Sequence, residues 1–197
     1  MNFLAHIYLS GENELIRIGN FMADGIRGKS FEAYPEEVRT GILLHREIDT
    51  FTDAHPLFRL GTKRLHADFH HYAGVIVDVF YDHFLAASWN SYHEMPLREF
   101  AATFYASMHR HYGLLTDRAK NLLPVMTRHD WLTSYATLEG ISEILRQMDR
   151  RTGNRSKMSL SPHSLELHYD LYAEEFTQFF TDIRLMAQHK LQTGFKA

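Results

Sequence analysis

Apolar residues recur at helical spacing along most of the chain. Within residues 12–28, four of them lie three or four positions apart: Leu15, Ile18, Met22 and Ile26. No segment shows the apolar–polar alternation of a half-buried strand, and no long motif repeats along the chain. We therefore predict an all-α fold, a compact single-domain helical bundle of about seven or eight helices over residues 1–197.

Prolines mark several helix ends. Pro35 fits the first turn of a helix, and the two glutamates after it suit the positive end of the helix dipole. Pro56 ends this helix, because the residue before a proline avoids the helical region. A last long helix is predicted from Ser161 to about Lys190.

Composition narrows the classes of function. The chain has 197 residues, 14 histidines and no cysteine, which excludes disulfides and thiolate metal sites. The net charge of −3 gives no argument for nucleic-acid binding. The N-terminal stretch lacks the basic region of a signal peptide, and no uncharged apolar run is long enough to span a membrane. We expect a cytoplasmic protein with neither a nucleic acid nor a membrane as its partner.

Ionisable groups come in pairs between residues 41 and 85. His45 and Asp49 are four positions apart, and so are Asp78 and Asp82, so each pair shares one face of a helix. Their neighbours in the sequence are apolar. Carboxylates and imidazoles in such surroundings are costly to bury unless they are paired or bind a metal.

A third pair precedes this segment. Asn20 and Asp24 are also four positions apart, and Asp24 lies at the C-terminal end of its predicted helix. That end is unfavourable for an anion in the helix dipole, which indicates a cationic partner or a metal. The three pairs predict a divalent cation between helices, and Asp and His donors without Cys favour Mn²⁺, Mg²⁺, Fe²⁺ or Zn²⁺. The alternative is that these residues cap helices or pair with arginines such as Arg46.

Five parts of the chain resemble a known family, the acyl carrier protein phosphodiesterases. They are NFLAH (2–6), GNFMADGIRG (19–28), GILLHREIDTFTD (41–53), DVFYDHFL (78–85) and Trp131. The resemblance implies a divergent relative of the HD-type metal-dependent phosphohydrolases. It also implies Mn²⁺-dependent hydrolysis of the phosphodiester that joins 4′-phosphopantetheine to a serine of holo-acyl carrier protein. The products would be apo-acyl carrier protein and 4′-phosphopantetheine.

The residue pattern and the resemblance together predict the site. The expected metal ligands are Asp24, His45, Asp78, Asp82 and His83. The residues expected to support them are His6, Asn20 and Asp53, with a core histidine bonded to a backbone carbonyl as the alternative for His6. The expected catalytic residues are His45, Arg46, Asp49 and His83. In these roles His45 or His83 orients water or accepts its proton, Arg46 neutralises phosphate charge, and Asp49 fixes an imidazole.

The helix after Pro56 is basic, and it is the predicted docking surface for the acidic carrier protein, through Arg59, Lys63 and Arg64. A second basic segment, Arg146 to Lys157, is the competing surface. Two other functions stay open. One is a metal-dependent phosphohydrolase acting on a nucleotide or another small phosphodiester, and the other is a non-catalytic helical module that docks an acidic partner.

Overall fold

A computed structural model describes residues 1–195, and within them the chain is helical with no strand. Its α-helices, in chain order, are α1 (Phe3–Leu9), α2 (Glu14–Met22), α3 (Glu36–Ala54), α4 (Pro56–Phe69), α5 (Ala73–Ala87), α6 (Leu97–Arg110), α7 (Asp117–His129), α8 (Trp131–Ser134), α9 (Leu138–Arg151), α10 (Ser161–Leu167) and α11 (Tyr169–Thr193). Short 3₁₀ turns join several of them, and one, Ala23–Gly25, directly follows α2. The buried apolar residues form one core cluster. None of the helices in this part of the chain is long and apolar enough to cross a membrane.

The all-α prediction is confirmed, but the predicted number of helices is too low. The predicted last helix is divided, because His168 leaves the helical region at φ −127° between α10 and α11. The apolar N-terminal stretch also forms a helix of its own, and Trp131–Ser134 adds a short one. Spacing alone does not show such breaks, since the apolar stripe continues across them.

Helices α2 and α3 touch through their backbones. A Cβ atom on Gly41 would lie 2.1 Å from the carbonyl oxygen of Ile16, and one on Gly19 would lie 2.2 Å from the carbonyl oxygen of Val38. Only glycine permits this approach. The close contact brings Asn20 of α2 within hydrogen-bond distance of His45 on α3.

Helix α1 is held by a side chain of α5. The carboxylate of Asp82 accepts hydrogen bonds from the backbone N–H groups of Asn2, Leu4 and Ala5, at 3.2, 2.7 and 3.3 Å. Three N–H groups near the start of α1 have no partner within the helix, so a carboxylate there satisfies them. Fixed in this way, α1 presents His6 to α2 and α3.

Candidate active site

A cavity of about 440 Å³ is enclosed by helices from both halves of the chain. One wall is polar and comes mainly from α1, the end of α2, and α3: His6, Asn20, Asp24, His45, Asp49, Thr52 and Asp53. Another part of the lining, the apolar wall, is largely apolar and comes mainly from α8 and α9: Trp131, Tyr135, Ile144, Gln147, Met148 and Arg151. A cavity of this size with one polar wall is typical of a small-ligand site.

Two histidines and a carboxylate converge on the polar wall. Each of His6, His45 and Asp49 offers a ligand atom, and these three atoms lie within 4.8 Å of one another. The Nε2 atom of His6 is 3.3 Å from Oδ1 of Asp49, and Nε2 of His45 is 3.1 Å from Oδ2. The two imidazole rings are stacked, with centroids 4.2 Å apart. His45 and Asp49 share a face of α3, while α1 supplies His6.

Asn20 fixes which nitrogen of each ring faces the cluster. Its Nδ2 donates to the carbonyl oxygen of His6 and to Oγ of Ser10, so its Oδ1 is free to accept. That oxygen lies 2.8 Å from Nδ1 of His6 and 3.1 Å from Nδ1 of His45. Both Nδ1 atoms must therefore donate, and in the neutral rings both Nε2 atoms carry lone pairs. These lone pairs face the Asp49 carboxylate, an arrangement that requires a proton or a metal cation in the cluster.

The two histidines bind protons very differently. Burial lowers the pKa of His6 to about 4. Burial also acts to lower the pKa of His45, but its hydrogen bonds to Asp24 and Asp49 outweigh that and raise it to about 9. Burial works against ionisation of Asp49, yet hydrogen bonds from both histidines hold its pKa well below the usual range. Without a metal, His45 is therefore the protonated member of the cluster at neutral pH.

Of the predicted metal ligands, the structure brings Asp24 and His45 together, with Oδ1 of Asp24 3.2 Å from Nε2 of His45. Asp78 lines the same cavity, but its Oδ1 binds the ammonium group of Met1 at 2.6 Å. Asp53, expected to support the ligands, lies further along α3 in the cavity wall and is exposed. His6 and Asn20, also expected as supporting residues, lie at the centre of the cluster.

Asp82 and His83 do not reach the cluster, and this corrects the predicted ligand set. Asp82 is fully buried, and its oxygens hold the start of α1. His83 donates from Nδ1 to the carbonyl oxygen of Tyr135 at 2.8 Å, and its Nε2 lies 2.9 Å from the hydroxyl of Tyr169. Neither of them lines the cavity.

The arginine at the cavity differs from the predicted one. Arg46 donates to the carbonyl oxygens of Ile26 and Gly28 and lies over a phenylalanine ring, away from the cavity. Arg118 of α7 and Arg151 of α9 line the cavity instead. Neither has a spacing relation to the polar pairs of α2, α3 and α5. Sequence reasoning therefore missed Arg118, and it included Arg151 only as part of the competing basic segment. One signal was present for Arg118, since a cation in the first turn of a helix opposes the helix dipole.

The predicted docking residues lie on α4, but only two of the three line the same groove. Arg64 forms an ion pair with the buried Glu175, at 2.6 Å. Arg59 donates to the carbonyl oxygen of Asp53, and Lys63 is exposed. Arg59 and Lys63 line an open groove of about 690 Å³, and Asp53 belongs to both this groove and the cavity.

Comparison with known proteins shows the family of the chain. The family model described as acyl carrier protein phosphodiesterase matches residues 1–183. A protein of that name from Yersinia pestis is 31% identical over 191 residues, covering 96% of this chain and 99% of the relative. Another of that name from Escherichia coli O9:H4 is 33% identical over 194 residues, with the same two coverages of 96% and 99%. No solved structure matches the chain. The chain belongs to the acyl carrier protein phosphodiesterase family.

Proposed function

We propose that this enzyme hydrolyses the phosphodiester between 4′-phosphopantetheine and the serine of holo-acyl carrier protein. We propose a divalent cation as its cofactor, with Mn²⁺ as the first candidate. Relatives that match almost end to end carry the name acyl carrier protein phosphodiesterase. The observation that supports the metal is the cluster of His6, His45 and Asp49 on the cavity wall. The products are apo-acyl carrier protein and 4′-phosphopantetheine.

The cluster fits a cation by its donor chemistry. Two imidazole nitrogens and a carboxylate oxygen suit Mn²⁺, Fe²⁺ or Zn²⁺, and Mg²⁺ less well because it prefers oxygen. His6, His45 and Asp49 would hold the ion, with Asp24 beside it. When bound, it would polarise a phosphate oxygen and lower the pKa of a coordinated water from 15.7 to about 7. The pair of Nδ1 hydrogen bonds to Asn20 keeps both rings oriented for this task.

The protein groups around the cluster complete the hydrolysis. A water oxygen adds to phosphorus, the bond from phosphorus to the serine oxygen breaks, and the serine oxygen takes up a proton. Asp24 is exposed at the cavity wall and offers a carboxylate oxygen to accept a proton from the attacking water. His83, one of the two histidines predicted for this role, is held by Tyr135 and Tyr169 and cannot serve it.

The carrier protein would dock on the groove of α4. Arg59 and Lys63 give this groove positive charge, and several histidines line it as well. Because Asp53 lies in both the groove and the cavity, a partner bound there holds its prosthetic group next to the cluster. We do not include Arg64 in this docking surface, because its ion pair with Glu175 holds its side chain against α11.

The test is mass spectrometry of holo-acyl carrier protein after incubation with the enzyme and Mn²⁺. We expect loss of the prosthetic group, and little loss with a chelator. The variant Asp49→Asn should bind Mn²⁺ at least about 10-fold more weakly and turn over at least about 100-fold more slowly. His109→Gln is the matched control, because His109 is exposed and lies outside the cavity. Equal turnover in chelator would refute the metal, and an unchanged carrier protein would refute the substrate.

The docking surface has its own test. Reversing Arg59 and Lys63 to Glu should raise KM for holo-acyl carrier protein and reduce its dependence on salt, because charge complementarity acts mainly on association. Hydrolysis of a small phosphodiester should stay nearly unchanged. Reversal of Arg146 and Arg150, on the competing segment, is the control. If only the control reversal raises KM, docking occurs there.

A further inference from the structure

Arg118 is a weakly engaged cation that lines the cavity near the cluster. Its side chain is 60% exposed, and its one ion pair joins an Nη2 atom to Oδ2 of Asp24 at 3.2 Å. The other oxygen of Asp24 contacts His45, so a single carboxylate separates the guanidinium from the metal cluster. A guanidinium has five N–H donors. Most of those donors on Arg118 have no acceptor among residues 1–195.

Arg118 contributes little to the stability of the fold at this position. It lies in the first turn of α7, where the positive end of the helix dipole disfavours a cation. An exposed ion pair such as the one with Asp24 contributes about 0–1 kcal/mol at most. Arg128, on the same helix, shows the usual arrangement: it is exposed in the last turn, where the dipole favours it.

The position of Arg118 matches what the proposed reaction must hold. The product keeps its phosphate on the pantetheine arm, so the cavity has to bind an anionic group and a long uncharged chain together. The apolar wall of α8 and α9 can receive the chain, while the metal cluster and Arg118 lie where the phosphate must be. Four carboxylates also line this cavity, so a phosphate needs a cationic partner besides the metal: Asp24, Asp49, Asp53 and Asp78.

We propose that Arg118 is the phosphate-binding residue of the cavity and exchanges Asp24 for two oxygens of the substrate phosphate. This rests on the proposed function, and it names the residue that recognises the phosphate of that substrate. A planar guanidinium can donate two parallel hydrogen bonds to a phosphate, and such charge-assisted bonds are the strong ones. Exchange is easy because the pair with Asp24 is exposed and weak.

The test compares Arg118→Ala and Arg118→Lys with Arg128→Ala. Binding of 4′-phosphopantetheine, pantetheine and inorganic phosphate is measured by calorimetry, both in Mn²⁺ and in chelator. For Arg118→Ala we expect about 10- to 100-fold weaker binding of the two phosphate-bearing ligands, unchanged binding of pantetheine, and a similar fall in kcat/KM for holo-acyl carrier protein. Arg118→Lys should recover part of the loss, since it keeps the charge without the two parallel bonds. Arg128→Ala should match the wild type.

The outcomes separate this inference from the proposed function. If wild type removes the prosthetic group and Arg118→Ala binds inorganic phosphate equally well, the phosphate role is overturned while the proposed function stands. If Arg118→Ala weakens pantetheine as much as 4′-phosphopantetheine, the residue shapes the cavity rather than binding phosphate, which also overturns it. If wild type leaves holo-acyl carrier protein intact but binds phosphate in an Arg118-dependent way, the phosphate site is supported and the substrate is wrong.

Discussion

A metal that enters the cluster must displace the proton on His45, and this predicts a measurable pH dependence of metal affinity. With a pKa of about 9, His45 is about 99% protonated at pH 7 in the metal-free protein. His6, with a pKa of about 4, is already neutral there, and Asp49 is already ionised. The cluster should therefore release close to one proton when the metal binds. At pH 6 this should be nearly the whole release, because a coordinated water with a pKa of about 7 still holds its protons there.

The magnitude follows from the same pKa. Displacing this proton at pH 7 weakens the apparent affinity about 100-fold relative to pH above 9, which is about 2.7 kcal/mol. Loss of the His45 proton alone should raise the apparent affinity tenfold for each pH unit up to about pH 8, and this contribution should level off above pH 9. Calorimetry of Mn²⁺ binding in buffers of different ionisation enthalpy counts the released protons directly. Release of no proton at pH 6, or of two, would refute the assignment of charge in the cluster.

Folding stability of the metal-free protein supplies an independent check with a definite sign. The pKa of His45 is raised from 6.5 to about 9 on folding, so the folded state binds the proton more tightly. The stabilisation is complete below pH 6.5 and is lost as pH rises through 9. Its upper bound is about 3 kcal/mol, because Asp24 and Asp49 are half exposed and water screens them. The low pKa of Asp49 reflects its hydrogen bonds with both His45 and His6, so its contact with His45 is not counted a second time.

Three substitutions away from the cluster test how the fold supports it, each by urea denaturation. Asp82→Ala removes the acceptor of three backbone N–H groups and should cost about 1–3 kcal/mol; an unchanged stability would contradict its role in holding α1. Gly41→Ala places a Cβ atom 2.1 Å from a backbone carbonyl oxygen of α2 and should lower the free energy of unfolding by more than about 3 kcal/mol. Gly113→Ala has open space around it and should change the free energy of unfolding by no more than about 0.5 kcal/mol. Arg64→Ala leaves the buried Glu175 unpaired and should lower the free energy of unfolding by about 3–5 kcal/mol. Lys63→Ala, the control, should leave the free energy of unfolding nearly unchanged. Equal effects of the two variants would show that the ion pair does not stabilise the fold.

Helical spacing predicted the part of the site that lies on one helix. His45 and Asp49 lie on one face of α3, as their separation required, and both reach the cluster. The same spacing gave Asp78 and Asp82 the same expected role, yet one binds the Met1 ammonium and the other holds α1. Periodicity predicts which residues share a face of a helix, but it does not predict what packs against that face. The partner of Asp82 lies 78 positions away at Leu4, and no local pattern reveals it.

Residues that depend on how helices cross were harder to predict. His6 appeared equally suited to the core or to a ligand role, because its place depends on where α1 lies against α2 and α3. Arg118 was missed, since α7 approaches the cavity only through the tertiary fold. The arginine next to His45 in sequence, Arg46, was chosen for the phosphate instead, although adjacent helical residues point in different directions.

Asn20 links the packing of the fold to the chemistry of the cluster. The glycine contact between α2 and α3 sets its distance to His45, and the hold of Asp82 on α1 sets its distance to His6. Its single oxygen then fixes both rings with Nδ1 protonated, which leaves both Nε2 atoms for the proton or the metal. A packing change at Gly41 should therefore weaken metal binding as well as stability, although Gly41 touches no ligand.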